Sequence, residues 1–155
     1  MASVTFTEQE LALALEWKDS LDAVDWEELS TLYRLAPLGN KPAAGLKVVF
    51  SNSLYRCFVF EQDRIVGVGR VLADGLDCAY LCDIAVHPDH QGTGLGKLIV
   101  ARLVALSRGH KKILLYAVPG KEPFYRKFGF RRMKTAMAIF EHPDDAQQRG
   151  YTDES

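Results

Sequence analysis

"HPDHQGTGLGKLIV", residues 87–100, sets glycines 92, 94 and 96 on alternate positions and then passes into an amphipathic helical pattern. Glycines at that spacing let bare backbone come close to a partner, and a helix start supplies free N–H groups and a favourable dipole. The ligand expected there is an anion, a phosphate or pyrophosphate. Upstream, "DCAYLCDIAVHP" (77–88) is rich in residues that suit a buried central strand. Downstream, Leu95, Leu98, Ile99, Leu103 and Leu106 form one face of a helix over Leu95–Ser107. The stretch is therefore a strand, an anion-binding turn and a helix.

Two standard phosphate motifs do not fit it. The P-loop spacing fails because residue 98 is Leu and has no hydroxyl for magnesium, and the dinucleotide pattern GxGxxG fails because the spacing is GxGxG. A second GxG, Gly67 and Gly69, lies inside a strand pattern and reads as structural.

The rest of the chain alternates strands and helices. Leu11, Leu13, Leu15 and Trp17 suggest a first strand, although Ala, Leu and Glu in the same run leave a helix open. Asp25, followed by Glu28, fits a capping box for a helix whose apolar face is Trp26, Leu29, Leu32, Tyr33 and Leu35. "AAGLKVVFSNS" (43–53) reads as a second, shorter helix. "LYRCFVFE" (54–61) and "RIVGVGRVLAD" (64–74) form a hairpin turning at Gln62-Asp63. "KKILLYAV" (111–118) is a strand, "KEPFYRKF" (121–128) a short helix and "FRRMKTAMAIFE" (130–141) a last strand; residues 143–155 make a polar, frayed tail.

At 155 residues this predicts one domain over 1–155, with its core in 11–142. The fold class is mixed α/β (α+β). Apolar residues at 48% and charged residues at 25% suit a soluble globular protein, and the net charge of −1 gives no field for nucleic acid. The cluster Arg126, Lys127, Arg131, Arg132 and Lys134 reads as a solvated face, because its bases flank apolar residues rather than interleaving with exposed aromatics. No apolar run reaches membrane-spanning length and residues 1–10 lack a signal peptide's regions. Cys57, Cys78 and Cys82, odd in number and without CxxC spacing, point to a reducing, cytoplasmic setting. His87 and His90 have no third partner at helical spacing, so no metal site is expected.

Gln91-Gly92-Thr93-Gly94-Leu95-Gly96, preceded by "DIAVHPDH", resembles the pyrophosphate-binding segment Gln/Arg-x-x-Gly-x-Gly/Ala of the GNAT superfamily of acyl-CoA-dependent N-acetyltransferases. "FYRKFGF" (124–130) is similar to that family's later Phe-Tyr-x-x-x-Gly-Phe signature, and the resemblance runs over residues 54–140. It implies a single-domain GNAT fold: a mixed central sheet of about six to seven strands flanked by helices. The fourth and fifth strands, here 78–86 and 112–118, splay apart to admit acetyl-CoA. It also implies that backbone groups of Ile84, Ala85 and Val86 bind the pantetheine arm and polarise the acetyl carbonyl, and that Gln91, Gly92, Thr93, Gly94, Leu95, Gly96 and Lys97 hold the pyrophosphate.

Acetyl transfer to an amine needs two proton movements. A primary amine titrates near about 10, so reaching its neutral form at pH 7 costs about 4 kcal/mol. The resemblance implies that Tyr125 is the general acid beside the departing sulfur. Related enzymes place a Glu or His base at positions matching Tyr80 and Cys82; neither is present, which leaves a water-mediated base. Asp83, the strand's carboxylate, serves either as a base or as an anchor of neighbouring backbone, and Tyr80 and Glu122 are further candidates. A cysteine acyl-enzyme through Cys82 lacks a nearby His activator.

Trp26, Tyr33 and Cys82 are expected to line the acceptor pocket. The run "VDWEELSTLYRLAPLG" resembles small-molecule members, including arylalkylamine acetyltransferases of plant and cyanobacterial kind, whereas Cys82 and Val118 depart from the acids of glucosamine-phosphate acetyltransferases. The expected function is acetylation of a small-molecule primary amine. Its rivals are a non-catalytic acyl-CoA-binding regulatory domain and an acetyltransferase of protein amines. A homodimer is compatible with apolar sheet edges.

Overall fold

Gly67 and Gly69 sit side by side on one face of a strand, and a helix lies in the space they leave. That strand is β3 (Arg64–Ala73) and that helix α4 (Leu95–Ser107). A Cβ on Gly69 would stand 2.7 Å from Leu103 Cδ1, and one on Gly67 2.7 Å from Ile99 Cδ1. Both glycines are thus structural, as their place in the strand pattern suggested.

The computed structural model describes residues 7–154. They fall into two compact units divided between Leu115 and Tyr116. The first unit holds α1 (Glu8–Ala14), β1 (Glu16–Lys18), α2 (Trp26–Leu35), α3 (Ala43–Ser51), β2 (Tyr55–Glu61), β3, β4 (Cys78–Val86), α4 and β5 (Lys112–Leu114). Its five strands run in the order β1-β2-β3-β4-β5. All neighbours are antiparallel except β4 and β5, which are parallel and joined through α4. Leu29, Leu32 and Tyr33 of α2 and Leu46 and Phe50 of α3 pack with Phe58, Phe60, Ile65, Val68 and Ala85 of the sheet. Leu95, Ile99 and Leu103 cover the opposite face. The mixed α/β class stands.

Several expectations need correction. Residues 8–14 are helical, so the first strand shrinks to Glu16–Lys18. Thr7 and Glu10 form a reciprocal capping box, and Leu11 and Leu15 share the buried side of that turn while Leu13 is exposed. Helix-forming Glu, Leu and Ala outweigh the alternation. At α2 the cap is Asp25, which accepts from the amides of Glu27 and Glu28, but Glu28 does not reach back to complete a box. Its Oε1 instead accepts from the Ile65 amide at 2.6 Å, beside the irregularity between β2 and β3. On α4, Val100 and Val104 are buried with Ile99, whereas Leu106 is exposed.

The sheet has five strands among the described residues, not six or seven, and the strand expected over 111–118 is confined to 112–114. The second unit has two helices, α5 (Glu122–Arg126) and α6 (Pro143–Gln148). Residues 130–141 form no strand: the alternation is present, but it finds no ladder partner, and Met137 and Ile139 are fully exposed. The tail is not frayed throughout. Ala146 on α6 is buried, and Tyr151 packs edge-on against Tyr116 at 5.6 Å.

Candidate active site

β4 is irregular where the chemistry was expected. Arg70 pairs with Cys82 and Val68 with Ala85, so Asp83 and Ile84 together oppose Gly69 alone. This bulge holds Asp83 at φ +53, a left-handed conformation that a residue with a side chain adopts at a cost of about 1–3 kcal/mol. Three groups fasten it there. Tyr33 Oη donates to the Asp83 carbonyl at 2.7 Å, Arg70 Nε donates to Oδ2 at 2.8 Å, and Lys41 Nζ lies 3.5 Å from Oδ1. Arg70 also donates to Ser53 Oγ at 3.3 Å.

The bulge changes which side chains share a face. Simple alternation groups Tyr80, Cys82 and Ile84 against Leu81, Asp83 and Ala85. In the structure Asp83 and Ala85 join Cys82 on the side of Arg70 and the α2–α3 core, while Ile84 turns toward Gly69 and α4. Tyr33 is fully buried and does not line an open pocket. Burial, followed by the charge of Asp83, pushes its phenol well above the usual tyrosine range, so it remains a donor. Trp26 is partly buried, its ring 6.1 Å from that of Phe50 at the edge of the core. Both carboxylate oxygens of Asp83 thus face cations.

Cys82 lies beside this network. Burial pushes its thiol up to about 11 against the opposing effect of Arg70, and its Sγ donates to the Tyr80 carbonyl at 3.5 Å. A thiol so placed is protonated at neutral pH and a poor nucleophile. Cys57 is buried deeper, its thiol raised to about 12, again mainly by burial.

Beyond the bulge, the outer edge of β4 has no strand partner among the described residues. Its ladder with β5 ends at Tyr80↔Leu114, while β4 continues through Val86. The next amide, His87, donates inward to Val66 at 2.8 Å, so by alternation Val86 turns its polar groups to the open edge. Gln91 Nε2 donates to the Val86 carbonyl at 3.0 Å and so fastens the turn to the end of β4.

A short 3₁₀ turn, Pro88–His90, leads from β4 to the glycines. His90 is buried with Nε2 2.8 Å from Glu61 Oε2, and its carbonyl accepts from Thr93 Oγ1 at 2.5 Å. Gly92 and Gly94 then adopt φ +77 and +95, and a Cβ on either would meet nothing within 4 Å. Gly94 caps α4 without a side-chain hydrogen bond. The first-turn amides of Leu95, Gly96 and Lys97 have no carbonyl a turn earlier to bond. Open space, left-handed glycines and uncapped N–H groups at a helix start fit a pyrophosphate. The Lys97 ammonium pairs with Glu8 of α1.

Two surface hollows lie elsewhere. One of 290 Å³ is lined by Ala12, Trp17, Leu98 and Arg102, and one of 220 Å³ by residues that include Asp19, Arg56 and Arg102. No expected acceptor-pocket residue lines either.

In the second unit, Tyr125 stands on α5 with ring centroids of Phe124 at 5.0 Å and Phe130 at 6.2 Å. Burial among these rings raises its phenol above the ordinary value, so it carries its proton at neutral pH. Arg126, Lys127, Arg131, Arg132 and Lys134 are all exposed, as a solvated face requires.

The model of the acetyltransferase (GNAT) domain matches residues 53–132, from before β2 past the second aromatic motif. The chain belongs to the GNAT acetyltransferase family. The family uses acetyl-CoA. The chain is 30% identical over 113 residues to an uncharacterized N-acetyltransferase, ycf52-like, of Prochlorococcus marinus, covering 69% of this chain and 63% of that one. Two plant relatives match over shorter lengths. One is a chloroplastic serotonin N-acetyltransferase 2 of Oryza sativa subsp. japonica, 44% identical over 69 residues, covering 43% of this chain and 34% of that one. The other is a histone acetyltransferase TAP1 of Glycine max, 38% identical over 72 residues, covering 45% and 31%. The chain thus spans less than two thirds of the length of each. Among solved structures, an acetyltransferase of Deinococcus radiodurans R1 superposes with a TM-score of 0.74 at 21% identity, covering 91% of this chain and 97% of that one, which shows the GNAT fold.

Arg70, Lys41 and Ser53 are site residues that the motifs did not reveal. The signal for Arg70 was present: a guanidinium inside the apolar run "IVGVGRVLA" (65–73) needs a partner.

Proposed function

We propose that this GNAT chain is an N-acetyltransferase that moves an acetyl group from acetyl-CoA to the primary amine of a small molecule by direct attack. The observation that carries the reading is the turn at Gly92 and Gly94, left-handed, open, and set before an uncapped helix at the end of a strand with a free edge. Backbone amides of residues 92–97 bind the pyrophosphate, and the open edge at Ile84 and Val86 takes the amide-bearing arm. Acetyl-CoA supplies an activated thioester. Tyr125 gives its proton to the leaving sulfur; its raised phenol carries that proton at neutral pH, as a general acid must.

The unreactive state of Cys82 favours direct attack over an acyl-cysteine. With Asp83 engaged by Arg70 and Lys41, amine deprotonation falls to water. A small acceptor fits the near-zero net charge, which gives no overall acidic field to attract a basic protein tail. The setting proposed is cytoplasmic; no helix among the described residues is long and apolar enough to cross a membrane.

A thiol-release assay with acetyl-CoA and a panel of amines tests the reading. The expected result is turnover that falls about 10²-fold in Tyr125→Phe while acetyl-CoA still binds. Binding of acetyl-CoA without turnover on any amine would favour the regulatory-domain rival, and turnover confined to peptide amines the protein-acetylating one.

A further inference from the structure

Tyr33 poses a problem for a purely structural reading. It is fully buried on α2 in an apolar cluster where a phenylalanine would pack equally well, yet it carries a hydroxyl. A buried hydroxyl is costly unless bonded, and the bond it makes is to one backbone atom, the carbonyl of Asp83, 50 residues away in sequence. That carbonyl belongs to the residue held at φ +53. The side chain of the same residue is gripped by Arg70 Nε at 2.8 Å and approached by Lys41 at 3.5 Å, and Arg70 is braced on Ser53. An unfavourable backbone state is therefore fixed from its carbonyl and from both of its carboxylate oxygens.

The consequence lies one residue further on. The bulge decides where alternation restarts, and hence that Ile84 turns its side chain to α4 and Val86 its polar groups to the open edge of β4. Without the bulge, every residue from 84 to the glycine turn would present the opposite face. We propose that Tyr33, Arg70 and Asp83 form a positioning unit that holds the β4 bulge and so aims the backbone amides of its open edge at the acyl group of the donor. Asp83 acts through its conformation, not as a base, and Tyr33 acts through the Asp83 carbonyl, not as a wall of the acceptor pocket. The inference rests on the acetyl-CoA reading above and assigns to these residues a role in kcat that is separate from cofactor affinity, which belongs to the glycine turn.

The test compares Tyr33→Phe, Asp83→Asn and Asp83→Ala with wild type in steady-state kinetics, calorimetric binding of coenzyme A and thermal melting. Asparagine tolerates the left-handed region and can still accept from Arg70, while alanine does neither. The expected result is a kcat about tenfold lower in Tyr33→Phe and in Asp83→Ala, and less than about threefold lower in Asp83→Asn, because misdirected donors weaken transition-state binding. Coenzyme A affinity should stay within about threefold in all of them. If Asp83→Ala does not fold, Tyr33→Phe decides the matter alone. A Tyr33→Phe enzyme with the kcat of wild type overturns the proposal, as does an Asp83→Asn as damaged as Asp83→Ala, which would make the carboxylate a base. A fall in melting temperature without a fall in kcat at 25 °C overturns it too. Failure of the underlying reading looks different: wild type itself would bind no coenzyme A or turn over no amine.

Discussion

The chain writes GxG twice and uses it in opposite ways. At Gly67 and Gly69 the backbone is an ordinary strand and the absent side chains are filled by Ile99, Leu95 and Leu103 of α4. At Gly92 and Gly94 no described residue beyond the chain neighbours comes within 4 Å of a Cβ, and the backbone is left-handed. In the first pair glycine makes room for the molecule itself. In the second it makes a conformation, and leaves room for something else. The same α4 links them: its side chains fill the first gap and its N-terminus faces the second.

The largest effect in this comparison belongs to the packed pair. Gly69→Val would drive a branched side chain onto Leu103 Cδ1 at 2.7 Å, with Ile99 and Ile84 at 3.2 and 3.3 Å. We expect a loss of about 3 kcal/mol in urea unfolding, and a change below about 1 kcal/mol would show that α4 does not depend on these glycines.

A third turn calibrates the comparison, because it serves only the chain. Asp74 Oδ1 accepts from the amides of Leu76, Asp77 and Cys78 at 2.9, 2.7 and 3.1 Å. Those backbone hydrogen bonds lower its carboxyl from 3.8 to about 2. A lowered folded value means the charged form stabilises the fold above the unfolded value near 3.8, and that this contribution disappears as pH falls through about 2. Asp74→Asn should therefore lower the melting temperature modestly at pH 7, with a gap to wild type that closes toward pH 2. A gap of constant size across that range would contradict the assignment. This is the smallest of the expected effects.

What could be read from sequence divides along the same line as local and distant causes. The glycine turn, α4, the hairpin at Gln62-Asp63 and the cap at Asp25 depend on residues close in the chain, and all are found. The bulge at Asp83 arises from how β4 registers on β3, and its anchors come from α2, from β3 and from Lys41. No spacing within "CAYLCDIAV" encodes it, so simple alternation puts Asp83, Ile84 and Ala85 on the wrong faces relative to Cys82. Glu28 looked like half of a capping box because Asp25 stands three residues before it; the competing acceptor need of Ile65, 37 residues on, is invisible locally. Residues 130–141 show the converse, a strand pattern without a partner strand. Tyr125 was legible as a motif residue, and the structure adds its ring cage and raised phenol.

The central claim is that the left-handed turn, not the packed pair, receives acetyl-CoA. Calorimetric titration of acetyl-CoA into wild type, Gly94→Ala and Gly69→Ala tests it most directly. Gly94→Ala forces a Cβ onto a backbone at φ +95 beside the amides proposed to hold the pyrophosphate, and its affinity should fall about tenfold. Gly69→Ala should lose stability instead, with affinity within about threefold of wild type. An undiminished affinity in Gly94→Ala, or a loss confined to Gly69→Ala, would contradict the account.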